Sequence, residues 1–355
     1  MPDIMIKALF IRQGAQMAGR KDRVFIIAEI SANHGQKFAR AVEMIRAAKR
    51  CGADAVKFQA YNPDIITIDA NSKYFRIKHP SWGNQTLYEL YRQSYTPWNW
   101  FKRLKRVADG LGLVFFASAF DRTSVDFLEE IGVSCHKISS FELIDLPLIE
   151  YAAKTKKPII LSTGMATILE IKDAVSAAKK AGAKDITLMK CVSGYPAVPE
   201  EMNIRTIPDM AKRFDLPIGL SDHTCGTSVA VAAVSLGAIM VEKHFILSRR
   251  LKTPDSFFSV EPHEFAALVS CIRTAEKALG KVHYGLTKGE RDNRIFRRSI
   301  FAVRDIVKGS KLTQDNVKSI RPAYGIAPKY YKKVLGKNAA RNIRKGTPLT
   351  WDVLI

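Results

Sequence analysis

The sequence predicts an α/β protein: a (β/α)8 TIM barrel followed by a small C-terminal domain. The chain has 355 residues and 47% hydrophobic content, enough for one large core and a second, smaller one. Short apolar runs alternate with helical patterns between residues 24 and 280. Eight such strand–helix units in roughly 250 residues are typical of a barrel. A doubly wound open sheet is the alternative arrangement.

The candidate strands are mostly continuous apolar runs, as expected of parallel strands that are buried on both faces. They span residues 24–31, 55–60, 113–120, 135–140, 158–163, 187–193, 217–223 and 239–245. The last two runs, 217–223 and 239–245, pass from apolar to polar residues towards their C-terminal ends. Parallel α/β folds expose their chemistry at that end of the strands.

The stretches between the strands carry helical signals. In residues 39–50, apolar side chains recur at helical spacing, and residues 97–111 repeat the pattern. Thr167 and Glu170 predict a capping box that opens a helix reaching about residue 182. A helix at about 226–236 separates the last two strands, so those strands should be neighbours in the sheet.

Two segments depart from this rhythm. Residues 61–96 form a long aromatic and polar insertion after the second strand, which predicts a loop covering the substrate. The strand–helix pattern assigns residues 1–284 to the barrel domain with an N-terminal extension. The second departure begins at residues 285–298, which are interpreted as a charged linker. Residues 299–355 are interpreted as a small domain with short strands, glycine turns and a short helix near Asp315.

Composition narrows the class of protein. No apolar run reaches the ~18–20 residues that cross a bilayer, and the N-terminus lacks the cleavage pattern of a signal peptide. Five scattered cysteines are typical of reduced thiols. We therefore expect a cytoplasmic protein without a membrane partner.

The net charge of +22 is unusual and is concentrated near the C-terminus, where residues 286–355 hold 17 lysines and arginines against 5 acidic residues. Such a balance can indicate nucleic-acid binding. The basic residues nevertheless alternate with apolar ones, and no RNA-reading aromatic signature accompanies them. An anionic small substrate explains the charge equally well, so nucleic acid is not the expected partner.

Polar side chains collect at the predicted C-terminal mouth of the barrel. Two histidines, His223 and His244, each end a strand and could share a divalent cation. Lysines and serines from several other strands suit a phosphate together with a carboxylate. The residues at these positions include Glu29, Lys57, Gln59, Lys137, Ser140, Glu142, Ser162, Ser193, Tyr195 and Ser221.

These motifs, in this order, resemble the sialic acid synthase family over almost the whole chain. The segments that carry the resemblance are 28–34 (AEISANH), 52–59 (GADAVKFQ), 137–142 (KISSFE), 161–166 (LSTGMA), 219–224 (GLSDHT) and 242–245 (EKHF). Residues 321–326 (RPAYGI) resemble the family's antifreeze-like (SAF) domain. Residues 87–91 (LYELY) and 95–98 (YTPW) resemble the pseudaminic acid synthase branch. One departure is Ser193, since the neuraminate branch has asparagine there.

The resemblance implies an activity and a role for each site residue. The family condenses phosphoenolpyruvate with an open-chain N-acetylated amino sugar to give a nine-carbon 2-keto acid and phosphate. Glu29, Glu142, His223 and His244 would be catalytic, and both histidines would hold Mn²⁺, with Mg²⁺ or Co²⁺ as alternatives. Phosphoenolpyruvate would bind to Lys57, Lys137, Ser140, Ser162, Ser193 and Ser221. The sugar would bind to Gln59, Tyr195, Asp255 and Arg321.

The resemblance also implies a domain-swapped homodimer, in which Arg321 of one subunit reaches the site of the other. The product is expected to be pseudaminic acid, with N-acetylneuraminic or legionaminic acid as alternatives. Two hypotheses of other classes remain. A Schiff-base aldolase would need no metal and would be trapped by borohydride with pyruvate. A polyanion-binding protein would show steeply salt-dependent binding.

Overall fold

The computed structural model describes residues 23–78 and 82–355. The predicted N-terminal extension, residues 1–22, and residues 79–81 of the insertion lie outside the described residues. The chain divides into two compact units, the first ending at Gly280 and the second comprising Lys281–Ile355. The segment 285–298 thus belongs to the second unit, where its Ile295 carbonyl accepts a hydrogen bond from Ala323 N at 2.9 Å.

Eight parallel strands close into a barrel in sequence order, which confirms the predicted fold class and excludes the open sheet. The strands are β1 (Phe25–Glu29), β2 (Ala55–Ala60), β3 (Val114–Ala119), β4 (His136–Ile138), β5 (Ile159–Ser162), β6 (Ile186–Cys191), β7 (Ile218–Asp222) and β8 (Met240–His244). Pairing of β1 with both β2 and β8 completes the closure. The carboxyl ends of all eight strands therefore meet at one mouth.

Helices follow the strands, as the apolar periodicity predicts. In the first unit they are α1 (Phe38–Arg50), α2 (Pro63–Ile66), α3 (Leu87–Ser94), α4 (Trp98–Gly110), α5 (Arg122–Ile131), α6 (Leu146–Lys154), α7 (Ile168–Lys180), α8 (Thr206–Phe214), α9 (Ser228–Ser235) and α10 (Pro262–Leu279). The capping box of Thr167 and Glu170 is present at the start of α7. Helix α9 lies between β7 and β8, as expected.

Residue size is tightly constrained where the strands pack inside the barrel. Gly219 on β7 has no room for a side chain, because a Cβ there would lie 3.0 Å from both the Cβ and the carbonyl oxygen of Met240. The neighbouring strand therefore approaches closely at this point.

In the ranges that the structure describes, none of the helices has the length and hydropathy needed to cross a membrane.

The second unit is built around β9 (Ser299–Ala302) and β10 (Val317–Ile320), which pair antiparallel, with the short helix α11 (Tyr331–Val334). Its core is a separate apolar cluster that includes Ile300, Val317 and Leu349. The prediction of a short helix near Asp315 is wrong, because the chain forms a turn at that residue and continues into β10. Asn316 Oδ1 accepts a hydrogen bond from Thr313 N at 2.8 Å, and such local bonds compete with helix formation.

Candidate active site

Four charged side chains form one buried network at the mouth of the barrel. Lys57 Nζ lies 2.9 Å from Glu29 Oε2 and 3.4 Å from Glu242 Oε1. Lys137 Nζ lies 3.9 Å from Glu242 Oε2. The four side chains come from β1, β2, β4 and β8 and are all at least 96% buried. Two ammonium groups thus face two carboxylates in a region of low dielectric, where charge–charge interactions are strong.

Polar side chains add hydrogen bonds to this network, while Glu29 Oε2 and Glu242 Oε2 have no hydrogen-bond partner among the described residues. Lys137 Nζ donates to Ser162 Oγ at 2.6 Å, and Lys57 Nζ donates to Ser118 Oγ at 3.2 Å. Gln59 Nε2 donates to Glu29 Oε1 at 3.2 Å. Ser221 Oγ donates to Glu242 Oε1, also at 3.2 Å. The structure therefore brings Glu29, Lys57, Gln59, Lys137, Ser162 and Ser221 together, as the strand-end pattern predicts.

Burial and the oppositely charged neighbours act in opposite directions on the pKa of each group in this network. Burial raises the pKa of Glu29 to about 7 against the lowering effect of Lys57, with Glu242 adding to the rise. Burial alone would lower the pKa of Lys57, but Glu242 and Glu29 outweigh it, and the pKa is raised. Glu29 is consequently the carboxyl group of this network that exchanges a proton near neutral pH.

A second group of hydroxyls lies at the ends of β4, β5 and β6. Ser140 Oγ accepts a hydrogen bond from Gly164 N at 3.0 Å. A Cβ on Gly164 would lie 2.3 Å from Ser193 Oγ and 2.7 Å from Ser140 Oγ, so only glycine lets the two serines converge. Ser193 Oγ is buried and has no hydrogen-bond partner in the described protein. A cavity of about 500 Å³ lined by Thr163, Lys190 and Ser193 opens beside it.

The two predicted histidines face each other across the mouth, with ring centroids 5.3 Å apart. His223 Nδ1 lies 2.8 Å from the carbonyl oxygen of Val192, so Nδ1 carries a proton, and Nε2 has its lone pair available when the ring is neutral. Burial alone would lower the pKa of His223, but Cys191 outweighs it and the pKa is raised. His244 Nδ1 is buried without a hydrogen-bond partner and lies 3.9 Å from Asp255 Oδ2. Burial, with the neighbouring charge of His223, holds the pKa of His244 well below its usual value.

This pair fits a divalent cation. Neutral imidazoles are the form that ligates metals, and the backbone carbonyl at His223 fixes the tautomer that leaves Nε2 available. Within residues 23–78 and 82–355, no three histidine, cysteine or carboxylate side chains converge as a metal site. A cation held by His223 and His244 would therefore take its remaining ligands from water or substrate.

Aromatic side chains line the space beside the histidines. The Tyr195 ring lies 4.6 Å from His223 and 5.1 Å from Phe258 between centroids, and Phe258 lies 4.7 Å from His244. Trp82 of the insertion lies 6.0 Å from Tyr195, and its Nε1 donates to the Pro254 carbonyl at 2.9 Å. The insertion thus supplies an apolar surface next to the histidine pair.

The remaining predicted residues occupy different surroundings. Glu142 is half-buried in a single turn after β4, where Ser139 Oγ donates to its carboxylate. Asp255 Oδ2 accepts a hydrogen bond from Ala32 N at 3.3 Å near His244. Arg321 follows β10 in the second unit and is exposed.

Three contributors to the site were given no role in the sequence analysis: Ser118, Glu242 and Phe258. Glu242 stands among the strand-end polar residues, yet nothing in the sequence pairs it with lysines from β2 and β4. Ser118 was detectable as the single hydroxyl near the end of the third strand. Phe258 carried no signal, because an aromatic residue after a strand is usually part of the core.

Comparison with known proteins agrees with this geometry. The NeuB family model matches residues 44–284, and a SAF domain model matches residues 297–355. The pseudaminic acid synthase of Helicobacter pylori is 42% identical over 328 residues, which cover 92% of this chain and 96% of that protein. The N,N'-diacetyllegionaminic acid synthase of Legionella pneumophila is 35% identical over 344 residues, covering 96% and 97%.

A solved structure extends the comparison to the fold. The N-acetylneuraminic acid synthetase of Leptospira borgpetersenii superposes with a TM-score of 0.69 at 32% identity, covering 79% of this chain and 94% of that one. The family resemblance seen in the motifs is therefore confirmed both by sequence and by structure. The chain belongs to the NeuB family, with a SAF domain at its C-terminus.

Proposed function

We propose that the protein condenses phosphoenolpyruvate with an open-chain N-acetylated amino sugar, releasing phosphate and a nine-carbon 2-keto acid. The observation that carries this proposal is the meeting, at one mouth, of two buried lysines with serine hydroxyls and two imidazoles. Lysines and hydroxyls suit the phosphate and carboxylate of phosphoenolpyruvate, and the imidazoles suit a cation that would contact the sugar aldehyde.

The anionic substrate has a defined set of partners in this proposal. Lys57 and Lys137 would neutralise its charges, while Ser140, Ser162, Ser193 and Ser221 would donate hydrogen bonds. Lys57 faces Glu29 and Glu242, which raise its pKa, so its ammonium group is cationic before substrate arrives. A Schiff-base aldolase needs a neutral amine as nucleophile, which Lys57 does not supply. Burial lowers the pKa of Lys137, so trapping with borohydride and pyruvate is the test of the aldolase alternative at that residue.

The reaction balances with water as the third reactant. C3 of phosphoenolpyruvate forms the new bond to the aldehyde carbon, the aldehyde oxygen gains a proton, and water adds at C2. The C2–O bond to phosphate then breaks. Gln59, Tyr195 and Asp255 would orient the sugar. Glu29 would accept a proton from water, because its pKa of about 7 suits a general base and its Oε2 accepts no hydrogen bond among the described residues.

A divalent cation, Mn²⁺ before Mg²⁺ or Co²⁺, would be held by His223 and His244. When bound, it would act as a Lewis acid that polarises the aldehyde. We further propose a cytoplasmic homodimer in which the small unit of each chain completes the other chain's site through Arg321. A guanidinium can donate to an acetamido oxygen, which suits an N-acetylated sugar.

The sugar is proposed to be the precursor of pseudaminic acid. The 42% identity to the Helicobacter pylori synthase, against 35% to the legionaminic acid synthase, supports this choice. The expected result from a panel of N-acetylated amino sugars is a product identical to authentic pseudaminic acid, with ¹⁸O from the bridging position of phosphoenolpyruvate recovered in phosphate. Faster formation of N-acetylneuraminic or legionaminic acid would reject the substrate choice, and ¹⁸O retained in the keto acid would reject the mechanism.

The pH dependence should report Glu29 as the proton acceptor. Its pKa is raised to about 7, so the carboxylate is ionised above that pH and protonated below it. We expect kcat/KM for phosphoenolpyruvate to be flat above about pH 7 and to fall about tenfold per pH unit below it. Glu29→Gln should lose roughly 10²–10⁴-fold in activity and should no longer show this limb.

The matched control is Glu142→Gln, which alters the other predicted catalytic carboxylate. It should keep the limb near pH 7, whatever its effect on the rate. Phosphoenolpyruvate itself titrates near pH 6, but that contribution stays the same in every variant. A limb that persists in Glu29→Gln and disappears in Glu142→Gln would assign the proton acceptor to Glu142 instead.

A further inference from the structure

A buried ion pair lies directly beside the two histidines in the sequence. Lys243 Nζ, on β8, donates to Asp222 Oδ2, on β7, at 2.7 Å, and the two side chains are 1% and 0% exposed. The same two residues are direct partners in the pairing of β7 with β8. Asp222 precedes His223, and Lys243 precedes His244, so the pair links the strands one residue before each imidazole.

The ion pair lies on the opposite side of the strands from the histidines. Successive side chains in a strand point to opposite faces. Ser221 and Glu242 meet inside the barrel mouth, which places Asp222 and Lys243 towards the helical layer. The preceding residues with the same orientation are Leu220 and Val241, both completely buried.

Further bonds extend from the pair to the residue that follows His223. Asp222 Oδ1 accepts from Thr224 N at 2.9 Å and from Thr224 Oγ1 at 2.7 Å, and Lys243 Nζ also donates to the Thr224 carbonyl. The carbonyl of His223 accepts from Ala197 N at 3.1 Å. The backbone on both sides of His223 is thus tied to the residue before His244.

The energetics of burial make this arrangement informative. Taking two charges out of water is costly, and a well-packed apolar pair of similar volume is often as stable or more stable. Apolar contacts are non-directional, whereas charge-assisted hydrogen bonds fix both distance and direction. Stability alone therefore does not account for an ion pair at the end of an otherwise apolar outer face, whereas its directional bonds suit a role in geometry.

We propose that Asp222 and Lys243, together with Thr224, form a positioning device that sets the separation and orientation of the His223 and His244 imidazoles. This inference rests on the proposed function, since it assigns the device to a cation held by both rings. Asp222 and Lys243 are positioning residues, because they act through the histidines and face away from the mouth.

The test replaces the ion pair with apolar residues in the full-length protein. The double variant Asp222→Leu/Lys243→Met should fold but melt below the wild type, because it leaves the buried N–H and carbonyl of Thr224 without their partners. Its Kd for Mn²⁺ alone, measured by calorimetry, should rise about tenfold, as is common when residues supporting a metal ligand are lost. The single variant Asp222→Asn, which leaves Lys243 unpaired, should lower both the Tm and the Mn²⁺ affinity.

A matched control exists before β2, away from the mouth. There Asp54 Oδ2 pairs with Arg273 Nη2 at 3.1 Å. The corresponding double variant, Asp54→Leu/Arg273→Met, should leave the Mn²⁺ affinity unchanged. Unchanged Mn²⁺ affinity in Asp222→Leu/Lys243→Met would overturn the proposal, as would an equal loss of affinity in the control.

A crystal structure of the double variant separates this inference from the proposed function. The expected change is a different distance between the two rings, or loss of the bond from His223 Nδ1 to Val192. If the wild type itself binds no Mn²⁺, the proposed cation site is wrong. The positions of the two imidazole rings in the double variant, compared with the wild type, then test the positioning role on their own. Rings that superpose on those of the wild type would then overturn it.

Discussion

Replacing His244 with alanine is expected to lower kcat by at least about 1,000-fold without unfolding the protein, and His223→Ala should do the same. Several kcal/mol of charge stabilisation depend on the cation that these rings would share, and each 1.36 kcal/mol is a factor of ten in rate. Both side chains lie at the mouth rather than among the apolar core residues, so the fold should tolerate their removal.

The control is His263→Ala, which removes an exposed imidazole on α10 with 75% of its side chain accessible. That variant should keep the activity and the Tm of the wild type. A second experiment needs no mutation: excess chelator should abolish turnover, and added Mn²⁺ should restore it. Turnover that persists at the wild-type rate in excess chelator would reject the cation, whatever the alanine variants do.

The sequence predicts the barrel because its signals are local. Each strand is a short apolar run, and helical periodicity or a capping box marks the helices between them, as at Thr167 and Glu170. The predicted ends of the strands differ from the observed ones by at most two residues, and those of β2 coincide. At β4, for example, the strand stops at Ile138 because Ser140 begins a tight turn.

The contacts within the site were harder to predict, because they depend on how distant strands align. Strands buried on both faces lack the alternation that reveals which side chains point inwards. Lys57 and Lys243 look alike in the sequence, yet Lys57 lies in the network of the mouth and Lys243 pairs with Asp222 outside it. Closure of the barrel determines which lysine joins the network, because it places Glu242 between Lys57 and Lys137.

Complementation between two inactive proteins is the last expected result, and it tests Arg321. Alone, Arg321→Ala and His244→Ala should each be nearly inactive. In a swapped dimer, a mixed pair has one barrel with both histidines completed by an intact Arg321, and a second barrel lacking both. A mixed dimer should therefore reach about half of wild-type activity.

An equimolar mixture after complete subunit exchange holds about half of its dimers in mixed form, so it should recover about a quarter of wild-type activity. Exchange is verified with differently tagged chains, and the control mixes His223→Ala with His244→Ala, so that each barrel of the mixed dimer lacks one of its two imidazoles. That mixture should stay inactive, because neither chain has an intact pair of imidazoles. If exchange is proven and Arg321→Ala with His244→Ala also stays inactive, each chain completes its own site. Full activity of Arg321→Ala alone would instead show that Arg321 contributes nothing to the reaction.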